Sequence, residues 1–269
     1  MTTFSIAVSS VVALCCGLVC GRCLRGVRAG SALALSLAVA VGLLLLRSAG
    51  FDDLLRIIHP KVAADWLPAI VLLAAFSNMI RQASFRVVAA LVLAAFVPMR
   101  LLWGSVYFRP DHLSASVVLC VVPWFAVLAV SLLFVDEVPQ KRMSWRTFVW
   151  GAGIAVTAAT IASTGSLTYG AATGVCGVAT LGVLLSASRI PNLAAFPIVC
   201  LIGLSTSYSE LPILTSGLLF SVWLSLLAGE RITSDRFVSF TRAAAMSALF
   251  LAGLITFMQL KDSRGTVGG

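Results

Sequence analysis

Cys15, Cys16, Cys20 and Cys23 form the densest group of reactive side chains in the sequence. On a helix Cys16, Cys20 and Cys23 fall at i, i+4 and i+7, along one face. Thiolates placed so can hold a soft metal ion, and Cys20-Gly-Arg-Cys23 has the spacing of a redox pair. The surroundings that such chemistry needs are missing. No fourth ligand is evident and no βαβ pattern accompanies the pair. Cysteines beside a membrane boundary are also targets for acylation. Plain packing is the expectation for all four, and no cofactor or metal is expected.

Arg100 is the second candidate. It follows Pro98 and Met99 inside the apolar run 87–108. A charge at membrane depth costs about 2.5–3.5 kcal/mol on insertion scales, so it is expected to have a partner or a task. Counted from Val87, Arg100 stands about 20 Å along a helix, past the midplane. Its planar fork would suit an anionic solute, with Pro98 opening the helix beside it. The plainer alternative is that the helix ends near Trp103 and Arg100 reaches the headgroups.

Three further features share the second half of the chain. Thr157, Thr160 and Thr164 belong to a hydroxyl-rich stretch, and Gly170 and Gly174 follow it in GxxxG spacing. Small residues let helices approach and hydroxyls bond across them, so packing is expected and a polar solute path is the alternative. Glu210 is the one charge in 193–228. It is a loop acid if its segment turns at the surface, and a proton or cation ligand if the segment re-enters the bilayer.

Enzymatic machinery is not expected. There is no GK[ST] phosphate loop and no HExxH, and Gly151-Ala-Gly153 fails the dinucleotide pattern at its third glycine. No expected span holds an Asp or a His, so intramembrane acid–base or Ser–His hydrolysis lacks its parts. His59 and His112 fall in polar connections, too sparse for a metal site.

The elements that must position these residues are membrane helices. Of the 269 residues 60% are hydrophobic and 11% charged, against about 25% charged in a soluble domain. The central run 113–135 has no charge and is long enough to cross the ~30 Å hydrocarbon core. Comparable runs lie at 3–20, 31–46, 66–80, 87–108, 147–162, 167–187 and 243–260, with two more inside 193–228. The fold expected is an all-α, polytopic transmembrane bundle of about ten spans, eight being the lower bound. It fills 1–269 as a single integral membrane domain. Spans 1–5 occupy 1–135, spans 6–10 occupy 147–260, and the polar segment 136–146 connects them. Two halves of five spans would insert in opposite senses, as in inverted-repeat transporters. The first run has no preceding basic residue and no small-x-small cleavage site, so it is expected to remain as a helix.

Between the second and third runs, Phe51, Leu54, Leu55 and Ile58 follow helical spacing opposite Asp52, Asp53 and Arg56. That pattern predicts a short amphipathic helix in the interface, ended by Pro60. Trp66 is expected as an interfacial anchor.

The net charge of +9 would suggest nucleic acid in a soluble protein. Here the basic residues sit in loops. The odd-numbered loops hold twelve Lys and Arg, and the even loops with the C-terminal tail hold seven. The excess places odd loops in the cytoplasm and both termini outside a cytoplasmic (inner) membrane. The expected partners are the lipid bilayer and a membrane protein or a second copy, with a small solute if the chain transports. No nucleic acid is expected. The function expected is that of a structural or assembly partner within the membrane. The alternative is a small-solute, permease-like transporter, with an anion as the solute that Arg100 would suit.

Overall fold

Uncharged apolar runs become helices because a helix bonds its own backbone, which water cannot do inside lipid. The computed structural model describes residues 3–24, 30–47, 63–80, 82–102, 115–133, 138–139, 143–163, 166–186, 189–190, 192–208, 211–231 and 253. Within these residues run nine α-helices: α1 Thr3–Cys23, α2 Gly30–Arg47, α3 Leu67–Asn78, α4 Ala83–Leu102, α5 Ala115–Leu133, α6 Met143–Ser163, α7 Leu167–Ser186, α8 Phe196–Tyr208 and α9 Ile213–Arg231. One-turn 3-10 segments, Ala63–Trp66 and Asn192–Ala194, lead towards α3 and α8. The extended residues described are two short pairs, β1 Val138–Pro139 and β2 Arg189–Ile190. The fold is helical, as the composition requires.

Among the described residues, three helices are long and apolar enough to cross a membrane: α1, α4 and α7. Two of the other apolar helices are clearly shorter. With 12 and 13 residues, α3 and α8 extend only about 18 and 20 Å, less than the ~30 Å hydrocarbon core. Several apolar helices of this kind are compatible with an integral membrane protein. The amphipathic segment 51–58, Thr164 and Glu210 lie outside the described residues, and so does the tenth expected run, 243–260, apart from Gly253.

Expected boundaries move by a few residues, and two of these shifts have a local reason. The fourth helix opens at Ala83 rather than Val87, with the Arg86 amide bonded to the Gln82 carbonyl at 3.0 Å. Hydropathy stops at a charge, whereas the backbone ladder does not. Trp66 closes the 3-10 turn instead of opening α3, and Pro68 then occupies the first turn, where its missing donor is not needed.

Helix directions follow from registers. A side chain on Gly42 of α2 would meet Val175 of α7 and Ala13 of α1. One on Gly17 of α1 would meet Ala179, Gly182 and Val183 of α7. Rising numbers on α1 match rising numbers on α7, so these two run parallel. Gly153 of α6 faces Leu226 and Trp223 of α9, while Thr157 meets Trp223, so that pair runs antiparallel. Both senses fit a chain that alternates up and down. β1 and β2 pair antiparallel, Val138 opposite Ile190, which puts the α5–α6 and α7–α8 connections at one end of the bundle. Consecutive helices pack on one another throughout, except α5 and α6, whose contact is marginal at most. The expected polar connector 136–146 falls here, but its residues 143–146 already belong to α6, because the backbone ladder runs on through the charge at Arg146.

The closest seam joins α1 to α7. The buried residues of α1 are Ser9, Ala13, Gly17 and Gly21, every fourth position. A Cβ on Gly17 would come 2.8 Å from the Ala179 carbonyl oxygen, and one on Gly182 would come 2.7 Å from that of Leu14. Lipid tails are as apolar as leucine, so such helices gain from close contact and shared hydrogen bonds rather than from leaving water. Elsewhere the core is filled by large side chains, Trp124, Trp150, Trp223 and Phe196 among them.

Candidate functional site

Arg100 lies in the last turn of α4, near the end of the described helix rather than near its middle. Seventeen residues separate it from Ala83, about 26 Å of helix. A cation there complements the negative end of the helix dipole. Its guanidinium carbon sits 3.9 Å from the centroid of the Trp66 ring. A cation on an indole face gains about 0.5–2 kcal/mol, and the stack fixes a long flexible side chain. The helix-end carbonyl of Leu101 accepts a hydrogen bond from the Tyr208 hydroxyl at 3.0 Å. Residues before α3, at the end of α4 and at the end of α8 therefore meet at one end of the bundle. Asp65, beside Trp66, is buried and is itself engaged. Arg100 is half-buried and makes no ion pair or hydrogen bond among the described residues.

Thr157 and Thr160 are both buried on α6. The Thr157 hydroxyl donates to the Gly153 carbonyl at 2.7 Å and accepts from the Trp223 indole nitrogen at 3.3 Å. Trp223 also meets Trp150 edge to face, with ring centroids 5.4 Å apart. Three other hydroxyls behave alike. Thr173 donates to Tyr169, Thr180 to Cys176, and Ser205 to Leu201, each to the carbonyl four residues back. Ser36 reaches the Val71 carbonyl on α3 at 3.1 Å. Among the described residues, three buried polar side-chain atoms have no partner: Trp124 Nε1, Trp150 Nε1 and Thr215 Oγ1. Arg100 and the α6 threonines are not brought together, because α4 and α6 share no extensive contact.

The glycines of the GxxxG pair differ. A Cβ on Gly170 would come 2.6 Å from that of Ala162 on α6, whereas one on Gly174 would meet nothing within 4 Å. The spacing is present, but only its first member closes an interface. Gly177, one turn further, packs against Ile154 of α6.

Cys16 and Cys20 are half-buried with sulfurs 3.7 Å apart, while Cys15 and Cys23 are exposed. No cluster of three or more metal-ligating side chains occurs among the described residues. Cys176 and Cys200 are buried.

Trp66, Tyr208, Trp223 and Ser186 are the polar-tipped side chains that sequence spacing did not single out for a site. Their partners lie 34 to 169 residues away in the chain, and no local pattern signals them. No family model, no curated protein and no solved structure matches this chain.

Proposed function

We propose that the chain is a multi-pass protein of the cytoplasmic membrane, with about ten spans and both termini outside, that acts as a structural or assembly partner for another membrane protein or a second copy. One observation supports the reading above the rest. The hydroxyls of Ser36, Thr157, Thr173, Thr180 and Ser205, which a solute path could have used, are bonded to backbone carbonyls. A transport path needs polar groups that a passing solute can use. These hydroxyls instead donate to the backbone, chiefly within their own helix, with Ser36 crossing from α2 to α3.

The test is gentle extraction followed by analysis of what stays bound. A stoichiometric membrane partner, or a stable homo-oligomer, is the expected result. The transporter reading keeps one specific support, the Arg100 guanidinium, which has no ion pair or hydrogen bond among the described residues. It would take over if a small water-soluble anion raised the thermal stability of the purified protein and Arg100→Leu abolished that effect, since a ligand of the folded state alone raises apparent stability.

A further inference from the structure

The exposed face of α4 carries Val88, Val92 and Phe96, each one helical turn apart, and the next residue of that row is Arg100. Val92 is 62% exposed, and Phe96 is 42% exposed. The row is therefore an apolar stripe that ends in a cation. Trp66 holds that cation by its face, which leaves the edge of the guanidinium, where its N–H donors lie, unoccupied by any described residue. A bare helix end would repel an anion at this point. Here the Tyr208 hydroxyl covers the Leu101 carbonyl and reduces that repulsion.

We propose that this place binds one anionic glycerophospholipid. The lipid phosphate takes the edge of the Arg100 guanidinium through paired, charge-assisted hydrogen bonds. One acyl chain lies along Val88, Val92 and Phe96. The stripe and the charge stand in the order that a lipid presents, tail then phosphate. A soluble anion would use Arg100 but has no need of the stripe. The inference rests on the membrane reading alone, not on the partner reading. Failure of the membrane reading would show separately, as a protein that stays soluble without detergent.

The experiment is lipid retention by native mass spectrometry on the full chain, with phosphatidylglycerol and phosphatidylcholine in competition. Wild type should retain phosphatidylglycerol about tenfold over phosphatidylcholine, the factor that one charged hydrogen bond confers. Arg100→Gln should lose the preference, and Arg86→Gln, at the opposite end of the same helix, should keep it. Phe96→Ser should weaken retention of both lipids while leaving the ratio. Equal retention by wild type overturns the proposal without any variant, so a poorly folding Arg100→Gln does not protect it. Loss of the preference in Arg86→Gln also overturns it, as that would show a diffuse charge effect. Inorganic phosphate that displaces the bound lipid at millimolar concentration would mark a soluble-anion site instead and overturn the lipid assignment.

Discussion

The hydroxyl of Ser186 donates to the carbonyl of Gly17 at 3.1 Å, joining α7 to α1 across 169 residues of chain. The same hydroxyl lies 2.9 Å from the Gly182 carbonyl of its own helix. The interhelical bond is possible because neither Gly17 nor Gly182 carries a side chain that would hold the backbones apart. Gly17→Val should therefore destabilise the folded state by about 1–3 kcal/mol, the usual cost of overpacking. Ser186→Ala should cost less, about 0.6 kcal/mol, the mean for interhelical hydrogen bonds in a membrane bundle. Unfolding in mixed detergent micelles measures both. Equal losses would mean that the seam depends on the hydrogen bond rather than on close approach.

The glycines of α7 give a sharper contrast. Gly170→Ala should destabilise, because Ala162 occupies the space. Gly174→Ala should be neutral or stabilising by up to about 1 kcal/mol, because its surroundings are open and alanine favours helix. Gly177→Ala should be repaired in part by Ile154→Ala, since the clash is with that side chain. A double-mutant cycle reads the coupling, and additive losses would contradict the contact.

Thr157 and Trp223 form a hydrogen bond between side chains of α6 and α9. Thr157→Val removes the acceptor and leaves a buried indole N–H unpaired, at a cost of about 1–3 kcal/mol. Thr157→Ser keeps the oxygen and should stay within about 1 kcal/mol of wild type. A valine variant as stable as the serine one would show that the bond carries no weight.

The cysteines divide by exposure. A membrane-permeant maleimide should label Cys15 and Cys23 in the folded protein and spare Cys176 and Cys200 until it is denatured. Replacing Cys15, Cys16, Cys20 and Cys23 together by Ala or Ser should leave folding near normal. Stoichiometric zinc or copper in the purified protein, lost on that replacement, would contradict the packing role.

The helices were legible because lipid-compatible segments need long uncharged runs, and such runs stand out in one dimension. All nine described helices fall on expected runs, with ends displaced by a few residues where charge and backbone bonding disagree, as at Ala83. Depth was less legible. The apolar run continues past Arg100, and the residues after Leu102, which would fix its depth, lie outside the described ones. Interhelical geometry was least legible. GxxxG spacing at Gly170 and Gly174 named two positions of which one is used, and nothing local to Arg100 announces Trp66 or Tyr208. Thr164 and Glu210 fall outside the described residues, so their part in any site rests on sequence alone.

Topology mapping with reporter fusions tests the membrane account most directly. The β1–β2 pair puts the segments around Val138 and Ile190 at one end of the bundle, which the proposed topology sets in the cytoplasm. Fusions after Gly30, Arg86, Arg142 and Arg189 should all report the cytoplasm, and a fusion after Lys61 should report the outside. Opposite readings after Arg142 and Arg189 would contradict the up-and-down path, and a cytoplasmic reading after Lys61 would contradict the orientation.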